Sequence, residues 1–220
     1  EGDIKDYDAL SAAVEGKDVI IHLAAHTRVV ESVEEPRGNM EDNVIGSFNV
    51  FEAARKNGIG RVVFASTGGA IIGDAEPPVH EDMVPKPISP YGAGKLCSEA
   101  YASAYAGAYG MTTIGPRFAN VYGPYSYHKG SVVATYFRNI LRGVPLVIYG
   151  DGTQTRDYVY SEDLAALIVK ALSVDVKGFE TFHIGAGEET RLLELIERMR
   201  EVTGANLDDI VYEDPRAGEI

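Results

Sequence analysis

Cysteine occurs once in these 220 residues, at Cys97, so no disulfide can form within the chain. That usage fits a reducing compartment, and a cytoplasmic setting is expected. Long apolar runs are equally scarce: none approaches the roughly 20 residues that a bilayer-crossing helix needs. The first residues show no charged-then-apolar leader pattern, so a soluble protein is expected. Basic residues are in deficit. Lys and Arg number 20 against 33 Asp and Glu, a formal net charge of −13. Nucleic acids and membrane surfaces attract positive fields, so neither is an expected partner. The acidic balance does not exclude a small phosphate-bearing ligand, which a few arginines and helix N-termini can hold.

What is present is ordinary for a globular protein: 45% apolar and 24% charged residues, enough length for one large domain or a domain plus a small lobe. Short apolar runs alternate with amphipathic stretches, the mark of an α/β fold with a largely parallel sheet. Residues 19–25 and 61–65 read as buried strands, and Thr112-Thr113-Ile114 as a third. Val44, Ile45, Phe48, Phe51 and Ala54 recur at helical spacing and predict a helix over about Asn39 to Lys56, closed by Gly58. A second helix is predicted from about Pro90 to Tyr109, stopped by Gly110. Beyond Arg117 the glycine-rich loops lengthen, which suggests a smaller, interleaved lobe. Gly2-Asp3-Ile4 looks like the end of a strand begun before residue 1, and the finish is as abrupt, so a fragment of a longer chain is expected.

The chemistry concentrates in Ser89-Pro90-Tyr91-Gly92-Ala93-Gly94-Lys95. On a helix, Tyr91 and Lys95 lie on one face, a turn apart. An ammonium beside a phenol favours the phenolate and makes a usable base. Alone, such a pair is weak, since most are solvent-exposed helical neighbours. Phe64-Ala65-Ser66-Thr67 changes the odds: a strand ending in hydroxyls sits where open α/β sheets bind ligands.

These segments, with His22-Leu23-Ala24-Ala25, Asn43-Val44-x-Gly46-Ser47, Arg117-x-x-Asn120-Val121-Tyr122-Gly123-Pro124, Tyr149-Gly150-Asp151-Gly152-x-Gln154-x-Arg156-Asp157 and Arg216-x-Gly218-Glu219, resemble the extended short-chain dehydrogenase/reductase family over nearly the whole chain. The resemblance implies a Rossmann-like doubly wound parallel sheet with a smaller α+β lobe. Residues 1–117 would form a partial NAD-binding domain, and 118–220 mainly the substrate lobe, with segments returning to the sheet. It implies NAD as cofactor and a nucleotide sugar, UDP-hexose foremost, as substrate; no metal is implied. Asp3 and Ile4 would contact the adenine, and Leu23, Ala24 and Ala25 would lie against the dinucleotide, although plain strand packing explains the alanines equally well. Asn43 would support the site, and Ser66 or Thr67 would bond the sugar oxygen. Tyr91 would be the base, with Lys95 bonding the nicotinamide ribose and lowering the phenol's pKa. Asn120, Tyr149, Arg156 and Arg216 would hold the substrate; for Arg156 alone, an ion pair with Asp157 is the bland alternative.

The implied reaction is C4 epimerisation: Tyr91 takes the 4-hydroxyl proton as hydride leaves C4, the 4-keto sugar turns over, and hydride returns to its other face. Two departures qualify it. The family's Gly-x-x-Gly-x-x-Gly turn is absent, so the chain as it stands is expected to bind NAD poorly. Gly185-Ala186-Gly187-Glu188-Glu189-Thr190 imitates that turn but has threonine for the third glycine and two glutamates toward the phosphates. Gly68-Gly69 stands where the family's 4,6-dehydratases carry an acidic pair, which favours an epimerase. A dehydratase or reductase of the same family, or a non-catalytic nucleotide-sugar-binding protein, is the alternative. A homodimer through the two long helices is expected on the same grounds.

Overall fold

A strand buried on both faces must be apolar, and Val62, Val63 and Phe64 meet that demand. In the computed structural model, which describes residues 1–215, they lie in β2 (Arg61–Phe64) beside β1 (Ile20–His22), paired in parallel from Ile20 opposite Val62 to His22 opposite Phe64. The predicted 19–25 strand is cut short, because the chain leaves the sheet at Leu23. Gly2-Asp3-Ile4 forms no strand pairing; it leads into a turn and then α1 (Tyr7–Val14), whose first amides are capped by Asp6.

After β1 come α2 (Val29–Glu34), α3 (Pro36–Met40), a π-helical turn over Glu41–Ile45, and α4 (Gly46–Lys56). The predicted 39–56 helix therefore exists but starts earlier and contains a widened turn. Gly58, at φ 71°, ends it as expected. Ser66 and Thr67 are not the end of β2 but a separate short strand, β3, followed by α5 (Gly69–Ile72). The second long helix, α6 (Pro90–Tyr109), has the predicted bounds, with Ser89 accepting from the Gly92 amide at its start and Gly110 left-handed at its end.

β4 (Thr112–Phe118) is more than twice the predicted length and contains Pro116. The proline is tolerated because it falls between two partners on one side: β2 pairs with β4 up to Ile114, and β3 takes over at Arg117. The chain continues through β5 (Asn120–Tyr122), α7 (Val132–Arg142), β6 (Leu146–Tyr149), β7 (Thr155–Arg156), β8 (Tyr158–Tyr160), α8 (Ser161–Ala171), β9 (Phe179–Ile184), β10 (Thr190–Arg191), α9 (Leu192–Thr203) and β11 (Ile210–Glu213). β9 returns to the main sheet and pairs in parallel with β4, completing a five-stranded parallel sheet.

Alternation within β2 sends Val62 and Phe64 to one face and Val63 to the other. The first face packs against Val50, Phe51 and Ala54 of α4 and Ala102 and Tyr105 of α6, with Phe51 edge-on to Phe64 at 5.4 Å. The opposite face meets Leu164 and Ile168 of α8. A third cluster joins Val133 and Tyr136 of α7, Leu146 and Ile148 of β6, and Ile196 and Met199 of α9 around the β6–β11 ladder. Two helical layers thus hold the sheet rigid while the C-terminal strand ends stay open, which is where ligands bind in such sheets.

Candidate active site

Helix α6 presents Tyr91, Lys95 and Glu99 on one stripe, because residues four apart are a turn apart. The stripe lies over the end of β2 and over β3, and three successive residues, Ala65 to Thr67, answer it. The Lys95 ammonium donates to the Ala65 carbonyl at 3.0 Å, the Ser66 hydroxyl donates to Glu99 Oε1 at 2.6 Å, and the Thr67 side chain hydrogen-bonds the Tyr91 phenol. The two hydroxyls that the sequence leaves equivalent are separated here because they meet different turns of α6: Thr67 meets Tyr91, and Ser66 is committed to the buried Glu99 carboxylate two turns on.

The start of α6 is set against α5 with no room to spare. A Cβ on Gly92 would lie 2.0 Å from the Ala70 carbonyl oxygen, so only glycine allows this approach beside Tyr91.

Electrostatics depart from the expectation that Lys95 lowers the Tyr91 pKa. Burial pushes the phenol up to about 12, and the Thr67 hydrogen bond offsets only part of that. Burial also pulls the Lys95 ammonium down to about 8. The cation is turned toward the Ala65 carbonyl, so desolvation dominates at both groups. His22, at the end of β1, is buried too; burial and then the charge of Lys95 hold it down at about 4, and its Nε2 lies 2.9 Å from the Ser47 hydroxyl.

The loop after β1 carries Leu23, Ala24 and Ala25. Leu23 and Ala24 are exposed, so plain strand packing does not account for them. Ala24 and Ala25 line a cleft of about 540 Å³ together with Gly2, Asp3 and Ile4, which brings five of the sequence-predicted cofactor positions, counting Leu23 beside them, to one rim. Asn43, in the π-helical turn, clamps this loop: its Oδ1 accepts the His26 amide and its Nδ2 donates to the His26 carbonyl, both at 2.9 Å. Asn39, which the sequence reading missed, donates to the same carbonyl at 3.3 Å and accepts from Asn43 Nδ2 at 3.2 Å. A π turn widens the helix locally and re-aims such side chains.

The predicted substrate residues stand on a different framework. β5 pairs in parallel with β8, Asn120 opposite Tyr158, so Asn120 lies two residues along from Arg156 in β7. Gln154 ties its side chain to the Tyr149 carbonyl at 2.9 Å, joining β6 to the same corner. Arg216 lies outside the described residues. The glycine-rich imitation at 185–187 is used otherwise: the Asp157 carboxylate accepts the Ala186 and Gly187 amides at 2.7 and 2.9 Å. Those amides are therefore not a free phosphate cradle.

The profile of the NAD dependent epimerase/dehydratase family matches residues 1–185. The chain belongs to that family. It is 37% identical to the UDP-glucose 4-epimerase of Mycolicibacterium smegmatis, over all of this chain and 71% of that protein. The crystal structure of UDP-glucose 4-epimerase with UDP-glucose from Thermotoga maritima superposes with a TM-score of 0.94 at 36% identity, covering all of this chain and 72% of that one. A dTDP-glucose 4,6-dehydratase from Streptomyces venezuelae, solved with NAD, superposes at 0.92 and 32% identity, over 99% of this chain and 67% of that one. The fold is thus the Rossmann-like sheet of NAD-dependent epimerases and dehydratases. Among the described residues no helix is long and apolar enough to cross a membrane.

Proposed function

We propose that this chain carries the reaction centre of an NAD-dependent UDP-sugar 4-epimerase, interconverting UDP-glucose and UDP-galactose. The observation that carries the reading is the Tyr91–Thr67 contact, one helical turn from Lys95 at the open end of a parallel sheet. Tyr91 is the group that takes the proton from the sugar 4-hydroxyl. Thr67, rather than Ser66, is the hydroxyl that bonds the sugar oxygen beside it. Lys95, once turned from the Ala65 carbonyl toward a ribose hydroxyl, supplies the charge that favours the phenolate.

The small side chains of Ala24 and Ala25 and the exposed Asp3 carboxylate along the cleft fit a dinucleotide. When bound, NAD accepts and returns the hydride at C4. Asp3, Ile4, Leu23, Ala24 and Ala25 would hold it, with Asn43 fixing their loop. Asn120, Tyr149, Arg156 and Arg216 would hold the substrate diphosphate, for which planar bidentate arginines are suited. Residues 1–117 would thereby serve the cofactor and the chemistry, and 118–220 mainly the substrate.

A dehydratase is disfavoured by Gly68 and Gly69. An acid at 68 has no room without a shift, since its Cβ would lie 2.9 Å from His183 Nδ1. Elimination of water needs such an acid–base, and epimerisation does not. A second copy would pack on the exposed apolar edge of α4 and α6, where Tyr101 and Tyr109 stand exposed and Phe48 lies edge-on to Tyr101 at 5.4 Å. The lone cysteine fits a cytoplasmic, reducing setting.

Incubation of the NAD-loaded protein with UDP-galactose should yield UDP-glucose, and Tyr91→Phe should abolish turnover while leaving substrate affinity intact. Formation of a 4-keto-6-deoxy sugar instead would replace the epimerase reading with the dehydratase one.

A further inference from the structure

We infer that Glu99, clamped by Arg117, is a positioning residue that holds the Thr67 strand in register with the Tyr91–Lys95 face of α6. Glu99 continues the stripe one turn past Lys95. Its carboxylate accepts from Arg117 Nε at 2.9 Å and from a terminal guanidinium nitrogen at 2.8 Å, and from the Ser66 hydroxyl at 2.6 Å. Both side chains of the ion pair are only 5% exposed. Arg117 stands directly across the sheet from Ser66, and its remaining nitrogen reaches the Glu81 carbonyl at 3.3 Å.

Two physical arguments give this network a role beyond stability. A buried ion pair seldom outperforms an apolar pair of similar volume, because desolvation cancels most of the attraction. Methionine and leucine in these places would fill the space, but they would leave the Ser66 hydroxyl without a fixed acceptor. Second, β3 is two residues long and, among the described residues, pairs only with β4. So short a strand has little backbone to fix it against α6, and Thr67 is its last residue. The Ser66–Glu99 bond ties this strand to the helix that bears the base at a second point, two turns from Tyr91, and so fixes the strand's position along that helix.

The inference rests on the proposed reaction, and its test separates the two. Ser66→Ala, Ser66→Thr and Glu99→Gln would be compared in the NAD-loaded protein, with folding checked by near-ultraviolet circular dichroism. Ser66→Ala should lower kcat about tenfold with KM changed by less than about twofold, the signature of lost alignment rather than lost binding. Ser66→Thr, which keeps the hydroxyl, should restore the rate. The titration of Lys95, followed through its labelled 13Cε resonance, should move upward in Ser66→Ala as water reaches the loosened strand end. If Ser66→Ala and Glu99→Gln lower only the thermal midpoint, with kcat and the Lys95 titration unchanged, the positioning role is wrong. Should Glu99→Gln fail to fold, the Ser66 pair decides alone. A wild-type protein that epimerises no UDP-sugar sinks the proposed function, yet the Lys95 titration needs no turnover and still decides the positioning.

Discussion

Replacing Lys95 with methionine removes a buried ammonium while keeping most of the side chain's length and all of its apolar stem. Burial lowers the Lys95 pKa from 10.5 to about 8. At about 1.4 kcal/mol per pH unit, that gap means the charged form costs the native state roughly 3 kcal/mol at neutral pH. The hydrogen bond to the Ala65 carbonyl, worth about 1 kcal/mol net, is lost with the amine. Lys95→Met should therefore stabilise the fold by about 2 kcal/mol at pH 7, a rise in Tm of roughly 4–8 °C for a protein of this size, while abolishing epimerisation. The sign of the pH dependence follows from the depressed folded pKa. Below pH 8 lysine is charged in both states and the penalty is complete; above 10.5 it is neutral in both and the penalty is gone. Wild-type stability should gain on the variant as pH rises through that window, by about 2 kcal/mol between pH 8 and pH 9.5, which closes the gap. Urea unfolding of both proteins at pH 7 and pH 9.5 reads this directly. A variant less stable than wild type at pH 7, or a difference that does not change with pH, would refute the reasoning.

His22 gives the matching effect on the acid side. Its native pKa of about 4 lies below the 6.5 of the unfolded chain, so stability should fall by roughly 3 kcal/mol as pH drops from 6.5 to 4; His22→Gln should lack that component when urea midpoints at pH 7 and pH 4.5 are compared. Gly92→Ala drives a methyl to 2.0 Å from the Ala70 carbonyl oxygen, and calorimetry should show a loss of about 3 kcal/mol or more; an unchanged Tm would mean that α5 yields without cost.

The long helices were legible because their ends carry chemistry with one reading. Ser89 before Pro90 starts a helix and Gly110 stops one, and α6 has those bounds. The Tyr91–Lys95 face follows from the same 3.6-residue period. The choice between Ser66 and Thr67 was not legible, because both hydroxyls meet α6 and what separates them is the helical turn each one meets, Glu99 or Tyr91. That depends on how far β3, paired with β4, lies along the helix, which no local signal states. The Glu99–Arg117 pair was hidden for a different reason. Both residues are visible in sequence, but nothing local announces that a charge on α6 and one on β4 are buried against each other. The π turn at Asn43 was likewise unreadable, since an inserted helical residue leaves the apolar spacing nearly intact while redirecting a single asparagine.

The three polar features beneath the strand ends share one cause. Lys95, His22 and the Glu99–Arg117 pair are all buried, and each opposes folding through desolvation. They cluster at the C-terminal ends of β1 to β4, the edge at which open α/β sheets bind ligands, while the middle of the sheet between α4, α6 and α8 is almost wholly apolar. Burying Phe51, Phe64 and Val62 there, at about 1.5–3 kcal/mol each, outweighs what the strand ends lose. A sheet packed on one face only would have less surplus to spend on a desolvated lysine, so the two-layer packing of β2 and the depressed Lys95 pKa are parts of a single design. The stability gained in Lys95→Met measures how much of that surplus the desolvated lysine consumes.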